Sequence, residues 1–60
     1  MALNKKELKQ LDSLYSLYYR EDSYSVRDLK MMYELEKRGS RQQIIKLLKN
    51  YGANYDEEFD

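Results

Sequence analysis

The chain contains no cysteine, no histidine, no proline and no tryptophan, and only two glycines, in 60 residues. Each absence excludes something. Without cysteine there is no disulfide framework. Without cysteine or histidine the usual ligands of zinc and haem are missing, so no metal and no cofactor is expected. The commonest general acid–base and the most reactive nucleophile are gone as well. No apolar run exceeds three residues, whereas about 20 are needed to span a bilayer. Behind Lys5 and Lys6 stand Glu7, Lys9 and Asp12, where a secretory leader would carry its apolar stretch. A cytoplasmic location with no membrane partner is the expectation.

Charge is plentiful but segregated. Eleven basic and eleven acidic side chains cancel, yet residues 1–20 carry a net +2, residues 21–36 −3, residues 37–50 +5 and residues 51–60 −4. With 42% hydrophobic and 37% charged residues the composition fits a small globular helical domain rather than a disordered chain. A domain of this length buries only about 60% of the surface its unfolded form exposes.

Both glycines lie beyond residue 38, leaving residues 5–38 free of the two strongest helix breakers. Three N-terminal signatures divide the chain: Asn4 with Glu7, Ser25 with Asp28, and Ser40 with Gln43. In each, a short polar side chain can accept from an orphan backbone N–H while the residue three positions on reaches back. Leu3 and Leu8 stand where a hydrophobic staple would bracket the first of them. The spacing predicts helices over 5–20, 26–38 and 41–51, giving an all-α, compact three-helix domain over 1–52 and a short acidic tail over 53–60. Gly39 is expected to stop the second helix in a left-handed conformation, and Gly52 to end the third.

The apolar residues of the first helix are Leu8, Leu11, Leu14, Tyr15, Leu17, Tyr18 and Tyr19, those of the second Leu29, Met31, Met32 and Leu35, with Val26 and Tyr33 at the margins. Each set covers roughly 200° of the helical wheel, and Ile44, Ile45, Leu47, Leu48 and Tyr51 of the third cover roughly 160°. The first two arcs are wider than a helix with two neighbours requires, and the surplus is Tyr and Met, residue types enriched at interfaces. Tyr15, Tyr18, Tyr19, Met31, Met32 and Leu35 are therefore the candidate partner-binding residues, with another protein or a second copy of the chain as the partner. The implied function is that of a non-enzymatic protein–protein interaction module, a small regulator or inhibitor. In profile such a chain resembles the small phage and mobile-element proteins that bind host machinery, being short, tyrosine-rich, neutral and without catalytic groups.

The alternative is a helix-turn-helix DNA-binding regulator. Two helices joined through Arg38-Gly39-Ser40 fit that hairpin. Arg41 and Gln42 would then face base edges, and Arg38, Lys46 and Lys49 phosphates. The overall pI of 6.2 and the acidic tail argue against it. The tail, Asp56-Glu57-Glu58-Phe59-Asp60, reads as a solvated end, as a cover docked on the basic third helix through Phe59, or as an imitation of nucleic acid. It lacks the glycine and spaced ligands of a calcium loop. Glu21-Asp22 sits in a connection without a second carboxylate pair, and nothing matches a phosphate loop or a hydrolase elbow. No small-molecule substrate is expected. The string Ile44–Asn54 resembles the close of an ankyrin repeat's second helix over 11 residues. That family's opening Thr-Pro-Leu-His turn is absent, and the string reads as a leucine-rich helix stopped by glycine.

Overall fold

A computed structural model describes residues 2–52. The acidic tail, and every reading attached to it, lies outside the described residues. The described chain is all-helical: α1 spans Lys5–Tyr15, a π-helical segment continues it over Ser16–Glu21, α2 spans Val26–Arg38 and α3 spans Arg41–Lys49. No strand occurs among the described residues. All three N-terminal signatures form as reciprocal capping boxes, including those in which Asn or Asp takes the place of the more usual Ser or Glu.

Two expected boundaries move. The first helix is α-helical only to Tyr15, and its last six residues widen into π geometry before Asp22 stops the chain at φ 50°. The third ends at Lys49, two residues early, in a turn that closes through Gly52 at φ 68°. Gly39 departs from expectation more instructively. It is extended, with φ −84° and ψ 164°, not left-handed. What requires glycine there is closeness. A Cβ on Gly39 would lie 3.0 Å from Cγ and Cδ1 of Leu3 and 3.2 Å from the Leu35 carbonyl oxygen.

Leu3 is thus buried over the α2–α3 turn. Its backbone is held from both sides by Gln43, whose Oε1 accepts from the Leu3 N–H at 2.8 Å and whose amide donates to the Leu3 carbonyl at 3.0 Å. The same Oε1 accepts from the Ser40 N–H at 3.3 Å. One glutamine therefore caps α3 and fastens the chain's opening residues to it.

The contacts fix the directions of the helices. Leu3 meets the start of α3, while Tyr51, just past its end, donates its hydroxyl to the Asp12 backbone carbonyl at 2.9 Å. α1 and α3 therefore run the same way, and α2 runs antiparallel to both, its last residue Arg38 ion-paired with Glu7. α2 and α3 both lean on α1 more than on each other. The core is Leu3, Leu11, Leu14, Tyr15, Met32, Leu35 and Leu48, with Leu8, Tyr18, Leu29, Ile44, Leu47 and Tyr51 packed around it. Carboxylates that interrupt the apolar arcs all find work: Asp28 caps α2, Glu36 takes the Tyr15 hydroxyl at 2.5 Å, and Asp12 receives Tyr51. No buried side-chain polar atom lacks a partner among the described residues.

Candidate interaction surface

Six candidate contact residues were expected on one Tyr/Met face, and the fold divides them. Tyr15, Met32 and Leu35 are buried and form the centre of the core. Tyr18 is half-buried against them. Tyr19 and Met31 remain exposed, at 44% and 37%. These two do not share a face. Met31 lies beside Gln10, whose amide approaches its sulfur. Tyr33, only two positions along, points about 200° away around the helix, toward Tyr19. The surplus of the first two arcs is thus partly absorbed by the core and partly split between the two flanks of α2.

The larger exposed group gathers where the π segment meets α2. Tyr19 at 44%, Tyr24 at 37%, Val26 at 69% and Tyr33 at 54% are all open to solvent. Val26 and Tyr33, seven residues apart, share one stripe of α2. Tyr24 was not singled out from the sequence, and Val26 and Tyr33 were placed only at the margins of their arc. The signal that would have found Val26 and Tyr33 is azimuth: both sit nearly opposite Met31 on the wheel. Tyr24 stands in the connection, where helical periodicity is silent.

These tyrosines are braced by other tyrosines. The Tyr18 ring lies 4.8 Å from Tyr19, edge-on, and 4.8 Å from Tyr24, tilted. Tyr19 lies 5.8 Å from buried Tyr15 and is stacked at 22° on Tyr51, 6.4 Å away. Such offset and edge-on pairs add to the stability their burial gives. Tyr18 and Tyr19 lie on the π segment, and π turns recur at functional sites.

The phenols register this packing. Tyr19 is held protonated to higher pH than a free tyrosine, first by partial burial and then by neighbouring Tyr18, Glu36 and Tyr33. Tyr51 is shifted the same way, first by burial and then by donating its hydroxyl to Asp12, whose charge adds to the effect. Arg20, whose guanidinium lies 4.6 Å above the Tyr51 ring, opposes it.

The residues of the DNA-binding alternative are placed differently. Arg38 is committed to Glu7. Arg41, Gln42, Lys46 and Lys49 are exposed on α3. Only Gly39 and Ser40 separate α2 from α3, fewer than the three or four residues of the usual helix-turn-helix connection. Among the described residues no three acidic side chains gather where they could hold a metal ion, and no helix is long and apolar enough to cross a membrane.

No protein-family model, curated protein or solved structure matches the chain.

Proposed function

We propose that this chain is a non-enzymatic protein–protein interaction module, a small cytoplasmic regulator or inhibitor of the kind carried by phage and mobile elements. It engages its partner, another protein or a second copy of itself, through the tyrosine-rich face where the π segment meets α2. The observation that supports this reading is the grouping of exposed Tyr19, Tyr24, Val26 and Tyr33, while the other large apolar residues among those described, Met31 apart, are at least half-buried. Scattered apolar residues are ordinary on a surface, and a contiguous group is not. Tyrosine offers a rigid apolar body with a polar tip, at low conformational cost on binding. Here ring contacts restrict Tyr19 and Tyr24 further before any partner arrives, which lowers the ordering cost of association.

The test is association of the full chain and of Tyr19→Ala/Tyr33→Ala, by sedimentation over a concentration series and by complex formation with co-purifying proteins. Tyr19 packs on the rings of Tyr15, Tyr18 and Tyr51, so the double variant should melt several degrees lower yet stay folded at 20 °C by circular dichroism and lose its association, and Tyr33→Ala alone should weaken association with little change in the melt. A parent chain that stays monomeric and forms no variant-sensitive complex would defeat the reading. The helix-turn-helix alternative draws less support, because Arg38 is ion-paired within the domain and only two residues separate α2 from α3.

A further inference from the structure

A carboxylate stands at the foot of the tyrosine face with one of its oxygens unused. Glu36 follows Tyr33 by three residues, so the two are neighbours on α2. Its Oε2 accepts the Tyr15 hydroxyl at 2.5 Å, and the Tyr15 ring lies 5.8 Å from that of Tyr19. Tyr19, Tyr33 and Glu36 thus share one corner of the domain, and the raised Tyr19 phenol pKa, to which Glu36 and Tyr33 both contribute, reports the same proximity. Among the described residues Oε1 of Glu36 accepts no hydrogen bond and the side chain makes no ion pair. No buried side-chain polar atom there lacks a partner, so Oε1 is open to solvent. The cations nearby do not fill the place. Lys30 and Lys37 are exposed on the outward side of Tyr33, about 100° or more around α2 from Glu36. Arg20 is engaged at the end of α3, where it donates to the Asn50 carbonyl at 3.2 Å and lies over Tyr51.

We infer that this corner receives an arginine side chain of a partner protein, its guanidinium laid on the ring of Tyr19 or Tyr33 and one N–H donating to Glu36 Oε1. The inference rests on the reading of the tyrosine face as an interface, and it names the chemistry that the face selects. A cation over a phenol ring is attracted by the ring's negative face. Charge-assisted hydrogen bonds to a carboxylate are among the stronger polar contacts, and the Tyr15 hydroxyl already holds this carboxylate in place. Arginine meets both demands at once. Its planar, weakly hydrated group stacks on a ring and donates at its edge, which the compact ammonium of lysine cannot do. The chain sets the same pair within itself, since the Arg20 guanidinium lies 4.6 Å above the Tyr51 ring. Tyrosine and arginine are also the residue types that dominate the energetics of protein interfaces.

The experiment titrates the full chain with N-acetyl-arginine amide and, as a control of the same shape without the charge, N-acetyl-citrulline amide. NMR of the tyrosine rings and glutamate side chains reads the result. The arginine probe should give saturable shifts at Tyr19, Tyr33 and Glu36, and the citrulline probe should bind about tenfold more weakly. Glu36→Gln keeps an oxygen for the Tyr15 hydroxyl and should also lose about tenfold in affinity for the arginine probe. Tyr33→Ala should lose about threefold. The inference is overturned by equal binding of the two probes, by shifts confined to the four carboxylates of residues 56–60, or by a Glu36→Gln chain that binds as the parent does. Association of the same variants separates this inference from the reading beneath it. Complexes lost in Tyr33→Ala but kept in Glu36→Gln would leave the face an interface and remove the arginine anchor. Complexes that survive both changes would remove the interface as well.

Discussion

Replacing Gly39 by alanine tests the packing argument at its most specific point. The backbone there is extended, so alanine meets no conformational penalty. On that ground alone the substitution should stabilise by about 0.4–1 kcal/mol, by restricting the unfolded chain. The neighbours argue the other way. The new methyl would press on Leu3 at 3.0 Å and on the Leu35 carbonyl at 3.2 Å. The carbonyl cannot yield cheaply, because it accepts the Gly39 N–H at 2.9 Å and closes α2. Leu3 must therefore give way, and with it the two bonds to Gln43. Overpacking of this kind costs about 1–3 kcal/mol, so the net effect should be a loss of about 1–2 kcal/mol. In a domain of this size that lowers the melting temperature by roughly 4–8 °C per kcal/mol.

A double-mutant cycle makes the reasoning refutable. Leu3→Ala alone should destabilise by about 2 kcal/mol or more, the cost of truncating a buried leucine. In that background the crowding from Leu3 is gone and only the Leu35 carbonyl remains close, so Gly39→Ala should cost clearly less than in the parent. The two changes should therefore be coupled by at least about 1 kcal/mol, measured by thermal and urea denaturation followed at 222 nm. If Gly39→Ala raises the melting temperature of the parent chain, or if the two effects simply add, the contact between Leu3 and the turn does not govern this position.

Gln43→Ala should cost clearly more than Asp28→Ala, because Gln43 serves Ser40 and both sides of Leu3 while Asp28 serves only its own cap; urea midpoints of the two variants compare them directly. Raised phenol pKa values at Tyr19 and Tyr51 mean that the folded chain holds protons which the unfolded chain releases above about pH 10. The stability they contribute is therefore fully present below that pH and is lost as pH rises through the folded values. Melts between pH 9 and 11 should show this decline, and Tyr19→Phe/Tyr51→Phe should flatten it.

The three helices were legible because the sequence punctuates them: three polar caps, two glycines, and apolar spacing in phase with both. The interior was half legible. Leu11, Leu14 and Leu48 follow from helical period, whereas Tyr15, Met32 and Leu35 were read as contact residues and prove to be core, and Leu3 precedes any helix and is buried by a contact 40 residues away through Gln43. Gly39 illustrates the same limit. Its place at a helix end was readable, but the reason for glycine lies in a neighbour that local rules do not see. The π segment left no mark in the spacing, since its residues read equally well as a continued α-helix. The candidate contact residues emerged as one broad face for a different reason: the arcs were judged by width, although azimuth along α2 already turns Met31 and Tyr33 to opposite flanks.

The wide turn at Ser16–Glu21 also determines how this chain can vary in length. Removing a single amino acid there would let the winding continue as ordinary α-helix, one residue shorter before the left-handed stop at Asp22. The ring contacts of Tyr18 with Tyr24 and of Tyr19 with Tyr51 would then be re-aimed, while α2, started by its own cap beyond the connection, would keep its stripe. Descendants of this chain should thus accept exchanges of side chain in that stretch far more readily than any gain or loss of a residue.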